Sequence, residues 1–201
     1  MRKLLLILVL LISVSAFTQS PVDKFLDSTF KALKATHGID KSDMKVYELL
    51  DAFYDEALQS DAGEVTPSTR DRVHAYMDNE KALNKHLLIL FLMYQEHVGD
   101  AAKHRRAPNP EFQVATIKLV EKEFESIYQK VPAIVYIYKA EALGGAGKDD
   151  EANAVVQSAL KKYPNSIPLK VYSYMDTKSE SMRKDLINNH SKHWMVQLMV
   201  K

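Results

Sequence analysis

The stretch from Pro132 to Ser166 reads PAIVYIYKAEALGGAGKDDEANAVVQSALKKYPNS, and the fold turns on its spacing. Its apolar residues recur three and four positions apart, the period of a helix that buries one face. Two such runs, broken at Gly147, predict a pair of antiparallel helices joined by a very short turn. Two helices approach closely only where small side chains face each other, and Ala140, Ala152 and Ala159 supply that contact. Tyr136, Leu143 and Val156 are placed to fill the space beside it. Gly147 accepts the left-handed backbone that ends a helix abruptly. Pro164 stops the second run, and Asn165-Ser166 opens the next segment.

This order of residue types resembles the tetratricopeptide repeat, a helix-turn-helix unit of about 34 residues. The family places aromatic, small, large, glycine, alanine, bulky, alanine and proline in that sequence. Here Tyr136, Ala140, Leu143, Gly147, Ala152, Val156, Ala159 and Pro164 stand at those positions. Lys139 departs from the pattern, where the family usually has leucine, and Gly144-Gly145 weakens the end of the first helix. The match covers one repeat, residues 132–165. The resemblance implies an α/α superhelix whose groove accepts a peptide or a partner protein without catalysis. The plainer alternative is an ordinary helical hairpin with alanines at its crossing point.

One helix pair cannot bury its own apolar face, so neighbours must stack on it. Downstream, Leu169, Tyr172 and Tyr174 begin another helix, and Thr177-Lys-Ser-Glu180 reads as a capping box for a helix carrying Met182, Leu186 and Ile187. The tail from His193 to Lys201 alternates at Trp194, Val196, Leu198 and Val200, as a strand does, but a short helix packed on the end of the array is the expected form. Upstream, Asn109-Pro110-Glu111 gives a cap, a first-turn proline and an acid for a helix burying Phe112, Ile117, Val120, Phe124, Ile127 and Tyr128. From Ala82 to Val98 the apolar stripe widens until the run LLILFLMY, Leu87 to Tyr94, is apolar on every side; this is expected to be the central element, closed by Gly99. Thr66-Pro67 starts a helix of Val73, Tyr76 and Met77, and Val46 to Leu58 forms another. A weaker pattern of Val22, Phe25, Leu26, Phe30 and Leu33 ends at His37-Gly38. The expected architecture is all-α, a helical-hairpin array of about eight helices.

The chain opens MRKLLLILVLLISVSAFTQS, a basic start, a short apolar run and a small-polar ending in the order of a secretory signal peptide. Residues 1–19 are expected to be removed, after Ala16 or near Gln19, leaving 20–201 as one helical domain. The apolar run is about half the roughly 20 residues a membrane span needs, so no stable membrane insertion is expected after cleavage. The destination is then the periplasm or the extracellular space. With no cysteine, the domain must be held by its core alone. There are 27 basic and 26 acidic residues, two of the basic ones being Arg2 and Lys3. A balanced chain lacks the cationic excess that drives counterion release, which argues against nucleic acid as a partner.

Sequence chemistry points away from catalysis. No GxSxG elbow, glycine-rich phosphate loop or thiol nucleophile occurs. The seven histidines show no helical pair with an intervening acid, so they are read as exposed or hydrogen-bonded, and no metal or cofactor is expected. Glu121, Glu123 and Glu125 alternate along a helix and are read as a solvated face. Candidate partner-binding residues are Tyr136, Tyr138, Lys139, Tyr172 and Tyr174, because tyrosine offers rigid apolar area with a polar tip. Lys103, Arg105 and Arg106 form the one concentrated basic cluster and are read as a solvated loop or as a contact for an acidic partner or an anionic envelope surface. Two other functions remain: a small envelope enzyme or accessory subunit, marked by His86 or His97 meeting Glu96 and Lys103, and a self-associating structural component.

Overall fold

The computed structural model describes residues 20–200. The signal-peptide expectation falls on residues 1–19 and lies outside them. Among the described residues the chain forms α1 (Pro21–Thr36), α2 (Lys45–Tyr54) continued by a π-type turn (Asp55–Gln59), α3 (Pro67–Asp78), α4 (Lys85–Lys103) and α5 (Pro110–Tyr128). It continues as α6 (Ala133–Gly145), α7 (Asp149–Lys162), α8 (Ile167–Thr177), α9 (Glu180–His190) and α10 (Trp194–Met199). Each helix from α4 to α10 packs on the next, so the second half is an array of neighbours, with no strand among the described residues. The protein is all-α, an array of packed helices.

Side-chain caps explain where most elements start. The Thr66, Asn109 and Ser166 side chains accept the Thr69, Phe112 and Leu169 amides, and each is followed within two residues by a proline already set for helix. Among the described residues there are ten helices against the expected eight or so; the last three, after Tyr163, are short and are capped by Ser166, Ser179 and His193. The tail takes the helical form as α10.

The α6–α7 pair is the most extensively packed in the molecule. Ala140, Ala142, Leu143, Val156 and Ala159 are all at most 4% exposed in one continuous core. The turn between the helices is fixed by two backbone bonds, Lys148 N–H to Leu143 O at 2.9 Å and Gly147 N–H to Gly144 O at 2.9 Å. That pairing needs a left-handed residue, which Gly147 supplies at φ +71°.

α4 is the central element, packed by α1, α2 and α5, with Leu87, Leu88, Leu90, Phe91 and Tyr94 buried. Its ends differ from expectation. It starts only at Lys85, because Asn84 is left-handed and its buried side chain clamps the Asp40 backbone and the Tyr128 hydroxyl. It runs through Gly99 to Lys103: Gly99 faces open space, and the roughly 1 kcal/mol cost of glycine in a helix does not end it. The break comes where Arg105 turns left-handed at φ 52°.

Two further readings are corrected. Ser179, not Thr177, caps α9; Thr177 is the last residue of α8 and its hydroxyl donates to Ser173 O. On α1 only Leu26 is buried, and Phe25 is 54% exposed, because adjacent helix positions cannot share one narrow buried face. A smaller core of Ile167, Val171, Tyr174, Leu186, Met195 and Val196 holds α8, α9 and α10 together. No described helix is long and apolar enough to cross a membrane.

Candidate functional site

α4, α6 and α8 each carry a tyrosine about a third to halfway along: Tyr94, Tyr138 and Tyr172. Tyr138 stacks on Tyr94 at 5.4 Å and on Phe91 at 5.9 Å between ring centroids. The Tyr94 hydroxyl donates to Tyr138 O at 3.2 Å and accepts from Gln113 Nε2 at 3.4 Å. One turn beyond Tyr138, Glu141 accepts the Tyr172 hydroxyl, linking α6 to α8. Burial pushes the Tyr94, Tyr138 and Tyr172 hydroxyls above their ordinary range, and the nearby Glu141 charge adds to the shift. The Glu141 carboxyl is also raised: the surrounding protein penalises its charge more than the Tyr172 bond favours it. Glu141 nonetheless has solvent access, so it stands at a mouth, not in a core.

That mouth opens into a groove of about 560 Å³ between α6, α7 and α8. The small side chains that let the helices approach, Ala140 and Ala152, also line it, together with Val156. Tyr172 and Met175, 38% exposed, give it an apolar wall. Glu141, Asp149 and Asp176 line it with acid, and no lysine or arginine lines it. Asn153 Nδ2 donates to Asp176 at 2.7 Å, tying α7 to α8 across the groove.

The structure thus divides the predicted tyrosines. Tyr172 is half-buried and lines the groove; Tyr138 is half-buried against Phe91 and Tyr94 and does not line it; Tyr136 and Tyr174 lie in the core, 5% and 8% exposed. Residues two apart on a helix point to nearly opposite sides, so Tyr136 and Tyr138 cannot share a surface, nor can Tyr172 and Tyr174. Tyr136 packs on Tyr163 and accepts the Lys162 ammonium at 2.6 Å. Lys139 is turned to Glu121 in a partly buried ion pair at 2.5 Å. Lys103, Arg105 and Arg106 sit at the end of α4 and line none of this groove; Asp100 pairs with Arg106 and lies 3.1 Å from His104. Glu141, Asp149, Asn153 and Asp176 were missed by sequence reasoning. The one available signal was Glu141 falling one helical turn after Tyr138.

A second polar cluster lies where α1 covers α4 and α5. Glu123, read from the sequence as solvated, is 5% exposed and pairs with Lys34 at 2.7 Å, while Glu121 pairs with Lys139. The fully buried His86 places Nε2 3.9 Å from Glu123, and neither ring nitrogen has a hydrogen-bond partner among the described residues. Burial, with the Lys34 charge beside it, pushes His86 down to about 4. His86 therefore departs from the expected exposed or hydrogen-bonded histidine. His97 accepts the Asn109 amide at 2.9 Å and packs on Phe112, so the two histidines face these partners and not Glu96 and Lys103. Among the described residues no three histidine, aspartate or glutamate side chains are grouped to hold a metal.

No protein-family model, no curated protein and no solved structure matches this chain.

Proposed function

We propose that the protein is an exported interaction module, non-enzymatic, whose α6–α7 pair is a tetratricopeptide-type repeat and whose α6–α7–α8 groove binds a segment of a partner protein. The observation that carries this reading is the groove itself. Its volume of about 560 Å³ falls in the range of roughly 300–1,000 Å³ typical of binding sites. Tyr172 and Met175 offer apolar contact, the kind of rigid anchor that concentrates binding energy. Glu141, Asp149 and Asp176, with no cation lining the groove, favour a segment carrying lysine or arginine. Export is supported by the signal-like order of the first 19 residues.

Selection from a random peptide library tests the reading. Wild-type protein is expected to enrich peptides that combine a basic residue with an aliphatic or aromatic neighbour. The double variant Glu141→Lys/Asp176→Lys is expected to lose them. Equal recovery by both proteins, or no enrichment, removes the groove as the binding site.

One observation favours a second reading, a small enzyme using the same groove. A carboxyl raised above its ordinary range and hydrogen-bonded by Tyr172 has the form of a general acid. Turnover of a substrate that disappears in Glu141→Gln would select that reading over the module.

A further inference from the structure

We propose a second, separate binding site beneath α3, which takes a small apolar carboxylate. A cavity of about 240 Å³ lies between α2, α3 and α4. Leu49 and Phe53 of α2, Val73 and Met77 of α3, and Leu88 and Leu92 of α4 line it. The hollow is open at its edge, and an apolar space of this size lined from three helices is large enough to hold a small occupant.

Side-chain hydrogen bonds anchor α3 at both ends. Glu56 accepts the Thr66 amide at 2.7 Å, the Thr66 hydroxyl at 3.1 Å and the Thr69 hydroxyl at 2.8 Å, which anchors the first turn. At the other end the Tyr76 hydroxyl donates to Leu83 O. Between these anchors Val73 and Met77 are only partly buried, over the cavity. The helix spans the space as a strap.

The cavity's edge chooses the ligand. Arg70 and His74 fall on successive turns of α3, and both line the opening. Both are exposed, and among the described residues neither side chain has a hydrogen-bond or ion-pair partner. No acid lines the cavity. A free guanidinium presents a planar fork of donors that matches a carboxylate in two-point contact. An apolar body under α3 with a carboxylate at Arg70 satisfies both halves of the site. The size is bounded as well: the space exceeds the roughly 150 Å³ that admits benzene, and falls short of the roughly 300 Å³ at which drug-sized sites begin. A single ring or a short acyl chain fits, and a diacyl lipid does not. Its charge preference is the reverse of the acidic groove on α6–α8, so the two sites are distinguishable by ligand.

Isothermal titration calorimetry on the purified chain tests this with octanoate and 3-phenylpropanoate as alternative acyl and aromatic carboxylates. Octanol and octyltrimethylammonium serve as neutral and cationic comparisons. At least one carboxylate is expected to bind with a stoichiometry of one, and the cation not to bind. Arg70→Gln is expected to weaken the carboxylate at least tenfold, and Val73→Trp, which fills the space, to abolish binding while helical circular dichroism is retained. Absence of saturable binding by both carboxylates overturns the proposal, as does equal binding of the cation or of both variants. Should Val73→Trp fail to fold, methyl chemical-shift mapping on the wild type decides. Changes at Leu49, Met77, Leu88 and Leu92 support the site, and changes confined elsewhere refute it.

Discussion

Replacing Ala159 by leucine puts an isobutyl group where a methyl now sits, at a position of zero exposure in the α6–α7 contact. Overfilling a packed core costs about 1–3 kcal/mol, through forced rotamers and backbone shifts. With Ala140, Ala142 and Val156 buried in the same core, the neighbours have little room to yield, which puts the expected cost near the upper figure. For a chain of this size each kcal/mol lowers the melting midpoint by about 2–4 °C, so Ala159→Leu is expected to melt roughly 6–12 °C below wild type. Ala154→Leu, on the exposed side of the same helix, is the comparison, with an expected change within about 0.5 kcal/mol. Thermal and urea unfolding followed by circular dichroism reads both. If the two leucine variants unfold together, the alanines are not what brings α6 and α7 into contact, and the argument built on that crossing fails.

Gly147→Ala is expected to cost about 1–2 kcal/mol from the left-handed backbone alone, because an added Cβ meets nothing within 4 Å; Gly147→Asn is expected to cost less, by the same unfolding assay. Lys34→Met leaves the Glu123 carboxylate buried without its cation and is expected to destabilise by about 1–3 kcal/mol, below the full buried-pair cost because Lys34 is one-third exposed; adding Glu123→Met is expected to restore most of it. His86 titrates near 4 in the fold against 6.5 unfolded, so the unfolded chain takes up the proton first as pH falls. Stability contributed at this site is therefore full above about pH 6.5 and declines toward pH 4, by about 3 kcal/mol in all. Asp51, raised to about 6, acts in the opposite sense, so the test is the difference between wild type and His86→Leu in urea unfolding at pH 7 and 4.5: the variant is expected to lose less.

What could be read from the sequence was local. Asn109-Pro110, Thr66-Pro67 and Gly147 fix their helix ends through atoms within a few residues, so α5, α3 and the α6–α7 turn fell where their spacing placed them. What failed depended on contacts distant in sequence. Glu123 has the look of a surface residue until α1 brings Lys34 against it. Asn84 delays α4 because Asp40 and Tyr128 converge on its side chain. The groove was half legible: tyrosine content pointed to α8, but that Tyr172 lines the groove while Tyr174 lies in the core depends on which face of α8 meets its neighbours. Glu141, Asp149 and Asp176 come together only once three helices are packed.

Photo-crosslinking tests the proposed function most directly. A photoreactive benzoylphenylalanine at Met175, on the groove wall, is compared with the same group at Ile187, on α9 and similarly exposed. With a peptide selected by the wild-type protein, the account predicts a crosslink from position 175 that free peptide competes away, and none from position 187. Equal labelling from both positions, or labelling from 187 alone, would contradict the assignment of the α6–α7–α8 groove as the place where a partner binds.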